Sequence, residues 1–239
     1  ITNNIKASPS RINGELLLCE MLCVQGEFHH AGERVLLLEG TMPKISGLCT
    51  IVRSMHQQKK HSGALATLSI MSSLINERLE ELPVSDIYLD LAILYDEIGF
   101  YEDAQANLIM ACNYIKQISS DRVRRFETAA LAEKIIKQGL YDWIKVISDF
   151  FPPGKVKEDF LNMSSYTLTK YGRHDMAIEC ASIMEDECKR NSALIFISDA
   201  FSDEDMHQEA ARVASRISLF QEKNSRLENI AIMAGKHDY

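Results

Sequence analysis

The sequence predicts an all-α protein, a right-handed superhelical array (an α-solenoid) of about six antiparallel helix pairs followed by a C-terminal helix. Three observations carry this expectation. Apolar residues recur at three- and four-residue spacing almost throughout, which is the period of a helix and not of a strand. Breakers are scarce, with five prolines and eleven glycines in 239 residues. One pattern of residues also returns every 33 or 40 positions, the length of a helical repeat unit.

In chain order, residues 1–11 read as a flexible N-terminal extension and 12–239 as a single helical-repeat domain. The repeat is clearest in "EIGFYEDAQANLIMACNYI", residues 97–115. With Gly99 as the anchor, its relatives are Gly26, Lys59, Gly139, Gly172 and Asp205, so that successive anchors lie 33, 40, 40, 33 and 33 residues apart. Five residues after each anchor stand Ala31, Ala64, Ala104, Ile144, Ala177 and Ala210. Alanine is 20 of 239 residues, so the five found far exceed the half an alanine that chance would place there. Seven residues before the anchors come Cys19, Val52, Ala92, Ala132, Ser165 and Ser198, none larger than valine. Four before them come Leu22, Met55, Tyr95, Ile135, Leu168 and Phe201, all large. Two after them come Phe28, His61, Tyr101, Tyr141, His174 and His207, all flat rings.

Each slot has a physical reason. The anchor ends a unit's first helix in a left-handed conformation, which suits Gly and which Asp tolerates. The small residues of the two helices let their backbones approach, the large residue fills the gap to the next unit, and the ring packs over the turn. Pro43, Pro83 and Pro152-Pro153-Gly154 read as breaks between helices. The 40-residue units add two helical turns, which keep an apolar stripe on nearly the same face. The second helix of one such unit is expected over 61–81, and the other gains its residues near Asp121. After Asp205, "SRLENIAIMA" forms one more helix.

This unit resembles the tetratricopeptide repeat, with Ala92, Tyr95, Gly99, Tyr101, Ala104 and Ala111 matching its pattern most closely. The units around Gly172 and Asp205 follow less strictly, the unit around Gly139 carries Ile144 in the alanine slot, and the unit around Gly26 is weakest. The resemblance implies that the first helices line a concave groove that holds a peptide or helix of a protein partner. Carried over position by position, the groove residues are Arg53, His56, Ile93, Asp96, Glu97, Glu133, Lys137, Tyr166, Lys170 and Asp199, with Tyr166 and Ile93 as the apolar anchors. The family's clamp of Lys, Asn and Arg for a chaperone's acidic C-terminal carboxylate is replaced at the matching positions here by Asp96, Glu133 and Tyr166, so binding of that kind is not expected.

Composition narrows the function classes. A net charge of −8 and pI near 5.4 disfavour general attraction to nucleic acids or anionic membranes. The longest apolar run, "LLLCEMLCV", is too short to span a bilayer. Six dispersed cysteines, with neither C-x-x-C pairs nor a loop-rich composition, read as reduced thiols in a cytoplasmic protein. His61, His174 and His207 sit in the ring slot, His29 and His30 are adjacent, and Cys19 with Cys23 lacks a completing pair, so no metal site is assigned. No nucleophile elbow, zinc-protease motif or phosphate-binding loop is present, so neither catalytic residues nor cofactors are assigned. The compact basic run Arg122, Arg124, Arg125 before Phe126 reads as cations paired within the stack. The expected function is a non-catalytic scaffold or adaptor for a protein partner. A sensor whose pitch changes on ligand binding and a holder of secretion substrates are the alternatives, and self-association stays open.

Overall fold

The computed structural model describes residues 9–77 and 84–236, which form thirteen α-helices with no strand among them. In order these are α1 (Pro9–Val24), α2 (Phe28–Leu36), α3 (Thr41–Gln57), α4 (His61–Glu77), α5 (Val84–Glu97), α6 (Tyr101–Gln117) and α7 (Asp121–Lys137). There follow α8 (Asp142–Phe150), α9 (Lys155–Lys170), α10 (His174–Ser182), α11 (Glu187–Asp203), α12 (His207–Ala214) and α13 (Phe220–Lys236). Two compact units divide the chain, Ile1–Ala111 and Cys112–Tyr239, with the boundary inside α6. The expected N-terminal extension lies outside the described residues up to position 8, and its last three residues begin α1.

All six anchors adopt positive φ: Gly26 at 79°, Lys59 at 59°, Gly99 at 84°, Gly139 at 74°, Gly172 at 67° and Asp205 at 60°. Among the described residues, Lys59 and Asp205 are the only non-glycines in that region. Each anchor closes its helix with the same pair of backbone hydrogen bonds. In the unit of Gly99, the Gly99 N–H donates to the Asp96 carbonyl at 3.0 Å and the Phe100 N–H to the Tyr95 carbonyl at 2.8 Å. In the unit of Asp205, the Asp205 N–H donates to Ser202 at 3.1 Å and the Met206 N–H to Phe201 at 2.8 Å. These are the two bonds that satisfy a helix's last carbonyls when the next residue turns left-handed.

The small slots are buried as expected, from Cys19, Val52, Ala92, Ala132 and Ser165 at 0% exposure to Ile144 at 6%. Where the first slot is serine, its hydroxyl donates to the carbonyl of the facing alanine: Ser165 to Ala177 at 3.1 Å and Ser198 to Ala210 at 3.0 Å. Two antiparallel helices thus touch backbone to side chain at one repeated point. Ile144 departs from the alanine pattern because α8 starts a residue late. Tyr141 is still in a turn, and Trp143 and Ile144 donate to Leu140 and Tyr141 across it.

The 33-residue units have second helices of eight or nine residues (α2, α8, α10, α12), and the 40-residue units have seventeen (α4, α6). The extra two turns therefore sit in the second helix, as expected for 61–81, although 78–81 and Pro83 lie outside the described residues. Pro43 is not a break. It occupies the first turn of α3, where a missing N–H leaves no bond unmade, and Gly40 at φ 87° is the residue that redirects the chain.

In the first unit, α1 packs on α2 and α3, and α3 on α4 and α5. Its core runs through Cys19, Val35, Leu48, Ile51, Leu68, Met71 and Leu91. In the second unit, α9 is central, packed on α7, α10 and α11, while α11 carries α12, and α13 lies on α12. Consecutive first helices are neighbours within each unit.

Candidate functional site

In the first unit, Arg53 of α3 reaches Glu97 of α5, with Nε 3.2 Å from Oε2 and both side chains about two-fifths exposed. Beside them His56 packs edge-on against the His61 ring at 5.4 Å. Asp96 is half-buried, and burial raises its carboxyl above the ordinary value. Ile93, expected as an apolar anchor facing the groove, is 3% exposed and offers no surface. The reason lies in its own helix. α5 buries Ile87, Tyr88, Leu89, Leu91, Ala92, Ile93 and Leu94, which together point to every side, and a helix apolar all round is enclosed.

In the second unit, the residues carried over from the resemblance lie on α7, α9 and α11. Glu133 and Lys137 form an exposed pair at 2.6 Å on α7. That bond lowers the Glu133 carboxyl and raises the Lys137 ammonium from their ordinary values. Tyr166 of α9 is half-buried and stacks at 55° on Phe196 of α11, ring centroids 4.6 Å apart. Lys170 is exposed one turn beyond Tyr166. Asp199 accepts from Arg226 of α13, yet burial outweighs the arginine and raises its carboxyl. This pair lies in a cleft of about 490 Å³ lined also by Asp203, Asn229 and Met233.

Sequence reasoning missed four participants here: Phe196, Arg226, Asp159 and Lys189. Asp159 of α9 is 7% exposed and takes the Lys189 ammonium of α11 at 2.7 Å, with Arg125 of α7 at 3.5 Å. It lies seven residues before Tyr166, two turns along the same face of α9. That spacing was readable; its partners were not. The basic run is paired in part, as expected. Arg124 bonds Asp121 and the Ile118 carbonyl, while Arg122 is exposed and Phe126 is 70% exposed.

The ring slot is filled unevenly. Phe28 lies under the Lys60 ammonium at 4.5 Å, and Tyr141 under the Arg173 guanidinium at 5.3 Å. His174 stacks on Phe201 at 4.4 Å and approaches Glu204 at 3.1 Å. Tyr101, by contrast, is 69% exposed and does not pack over its turn as expected, and His61 is exposed apart from its contact with the His56 ring.

The six cysteines are unbridged, and Cys188 alone is exposed. Burial beside Cys23 pushes the Cys19 thiol up to about 12, and burial does the same to Cys112 and Cys180. A protonated buried thiol is a poor nucleophile and a poor metal ligand. Among the described residues no group of three or more His, Cys, Asp or Glu side chains is placed to hold a metal ion. No helix among them is long and apolar enough to cross a membrane.

No protein-family model matches the chain, and no curated protein matches it. Among solved structures the chain is similar to Ton1535 from Thermococcus onnurineus NA1, at 14% identity and a TM-score of 0.32 over 92% of this chain and 79% of that one. A likeness this weak carries no argument about fold or function.

Proposed function

We infer that the chain is an array of tetratricopeptide-like units, wound as a right-handed superhelix, that works in the cytoplasm as a non-catalytic scaffold holding a segment of a protein partner. Support for the array comes from six left-handed turns at 33- and 40-residue intervals, each closed by the same two hydrogen bonds. The observation that carries the function is the side-chain row on α7, α9 and α11. There Tyr166 and Phe196 make a half-buried aromatic shelf between charged side chains, Glu133 with Lys137 on one side and Asp199 with Arg226 on the other. An apolar centre with a polar rim is how proteins grip a segment of another chain.

The test is affinity capture from native lysate with the parent, the double variant Tyr166→Ala with Glu133→Lys, and the control Tyr101→Ala. Tyr101 is an exposed ring outside the row. The reading expects one or a few proteins held by parent and control and lost with the double variant, at unchanged helicity by circular dichroism. Equal capture by all three proteins, or capture of nothing by any of them, would sink it.

A further inference from the structure

We propose that α13 pairs with α13 of a second copy of this chain, the two helices running antiparallel about a two-fold axis, with Phe220 of each seated over Gly235 of the other. The pairing uses a different side of α13 from the one that lines the cleft of Asp199 and Arg226. It does not depend on what the row of first helices holds.

The repeat shows what this side of a first helix does. In α9 and α11 it is closed by a short second helix, α10 on α9 and α12 on α11. Glu158, Ser165 and Thr169 lie along it in α9, and 33 residues later Asn191, Ser198 and Ser202 lie along it in α11; all six are buried. Ser165 and Ser198 bond carbonyls of the helices that cover them. Another 33 residues on stand Asn224, Ala231 and Gly235, and all three are exposed. A methyl added at Gly235 would meet nothing within 4 Å. α13 therefore presents the pairing face of a first helix, and among the described residues no helix lies on it.

The occupant follows from where α13 departs from its two predecessors. Phe220, one turn before Asn224 on the same face, is 75% exposed, and α11 has Glu187 in that place. At the other end, glycine stands where α9 has Thr169 and α11 has Ser202. Bulk at the start and space at the end make the face complementary to itself when the second helix runs the opposite way. Phe220 and Gly235 are fifteen residues apart, about 22 Å along the helix. An antiparallel α13 in register lays each ring over the other chain's glycine and sets Asn224 beside Ala231. It also brings the two half-buried Leu227 side chains together near the axis. Large meets small at each step, the condition for close packing of two helices. A short helix like α12, eight residues or about 12 Å, would not reach from Gly235 to Phe220 and would leave the ring bare. A two-fold contact uses the same patch on both copies, so it closes at a dimer.

The test is sedimentation equilibrium on the full 239-residue chain. Mass should rise from 27.0 kDa to twice that value as concentration increases. The midpoint is expected between about 1 and 500 µM, because one helix pair is a small interface. Phe220→Ala should weaken the pairing at least about tenfold. Gly235→Leu should abolish it at a helicity no lower than the parent's, because the added side chain enters open space in the single copy. Met233→Lys, in the cleft on the other side of α13, should leave the pairing as in the parent. Direction is read by disulfide trapping in a Cys188→Ser background, which removes the exposed native thiol. A mixture of Asn224→Cys and Ala231→Cys chains should crosslink, and Asn224→Cys chains alone should not. A single mass at every concentration, a mass that climbs past the dimer, indifference to Gly235→Leu, loss of pairing with Met233→Lys, no crosslink in the mixture, or self-crosslinking of Asn224→Cys chains would each overturn the proposal.

Discussion

Two glycines inside helices should respond to the same substitution with opposite signs. Replacing a helical glycine by alanine ordinarily stabilises by about 1 kcal/mol, because the glycine loses more backbone freedom on folding. At Gly47 of α3 the added methyl would lie 2.5 and 2.9 Å from the two methyls of Val35 and 3.3 Å from a Leu16 methyl. Val35 is 1% exposed on α2, and its β-branched side chain has one favoured rotamer in a helix, so it cannot turn away. Overpacking of this kind costs about 1–3 kcal/mol, more than the propensity gain in most of its range. Gly47→Ala is therefore expected to destabilise by about 1 kcal/mol, the difference between those two effects. At Gly63 of α4 the new methyl would meet only the Met55 sulfur at 3.1 Å and its terminal methyl at 3.3 Å. That unbranched, flexible tip can move, so Gly63→Ala is expected to be neutral or to stabilise by up to about 1 kcal/mol. Urea unfolding followed by far-ultraviolet circular dichroism reads both. In a Val35→Ala background, Gly47→Ala should turn from destabilising to stabilising, because its obstacle is gone. If Gly47→Ala stabilises the parent, or its cost persists without Val35, the close approach of α2 and α3 argued here is wrong.

Two further outcomes follow from the turns and the titrating groups. Lys59→Gly relieves a side chain from left-handed φ and should raise stability by a few tenths to about 1 kcal/mol, whereas Gly99→Ala at φ 84° should lower it by about 1–2 kcal/mol; chemical denaturation measures both. Asp96 has a folded-state pKa raised by burial, so its contribution favours folding at low pH and is lost as pH rises from its unfolded value of 3.8 through the folded value. Asp96→Asn should accordingly flatten that part of the stability profile above pH 3.8 and leave the protein no less stable at pH 7, as equilibrium unfolding at several pH values would show. A parallel fall in stability for parent and variant over that range would contradict it.

The helices and their joints were legible because they depend on residue size and backbone conformation, which a sequence states directly. Lys59 and Asp205 show the strength of that signal: neither is glycine, yet their distance from the flanking small residues placed both in left-handed turns. Side-chain direction on the outer faces was less legible. Arg53 and Glu97, chosen separately, do meet across two helices. Ile93 came from the same slot and is buried, because slot position fixes direction relative to one neighbour and does not say how many neighbours a helix has. The partners of Asp159 were illegible for a related reason. Arg125 and Lys189 lie 34 residues before and 30 after it, and only the packing of α7, α9 and α11 brings them together.

A repeated role can survive a change of residue type. Glu158 of α9 is 6% exposed, and its carboxylate accepts the backbone N–H groups of Glu185 at 2.9 Å and Asp186 at 3.2 Å, holding the link from α10 to α11. Thirty-three residues later, Asn191 is 1% exposed and accepts the N–H of Ser218 at 3.1 Å, holding the link from α12 to α13. Glu and Asn share no size or charge, so a search for matching residues passes over them, but both present a carbonyl-type oxygen to the same turn. The acceptors matter because the N–H groups of a link just before a helix have no intrahelical partner, and Glu158 and Asn191 each supply one from a buried side chain. Repeat length controls the ring slot in a comparable way. Phe28 and His174 head, and Tyr141 directly precedes, the short second helices of 33-residue units, and these rings are covered, whereas His61 and Tyr101 head seventeen-residue helices and are exposed. In the short units the cover arrives 30 or 32 residues along, from Glu204, Lys60 or Arg173, at the turn that closes the next first helix. Two added helical turns lengthen a second helix by about 10 Å, which carries His61, at the start of α4, away from the turn that closes α5. Pattern matching treats all six rings, His207 included, as equivalent, and among the other five the length of the second helix separates the covered rings from the exposed ones.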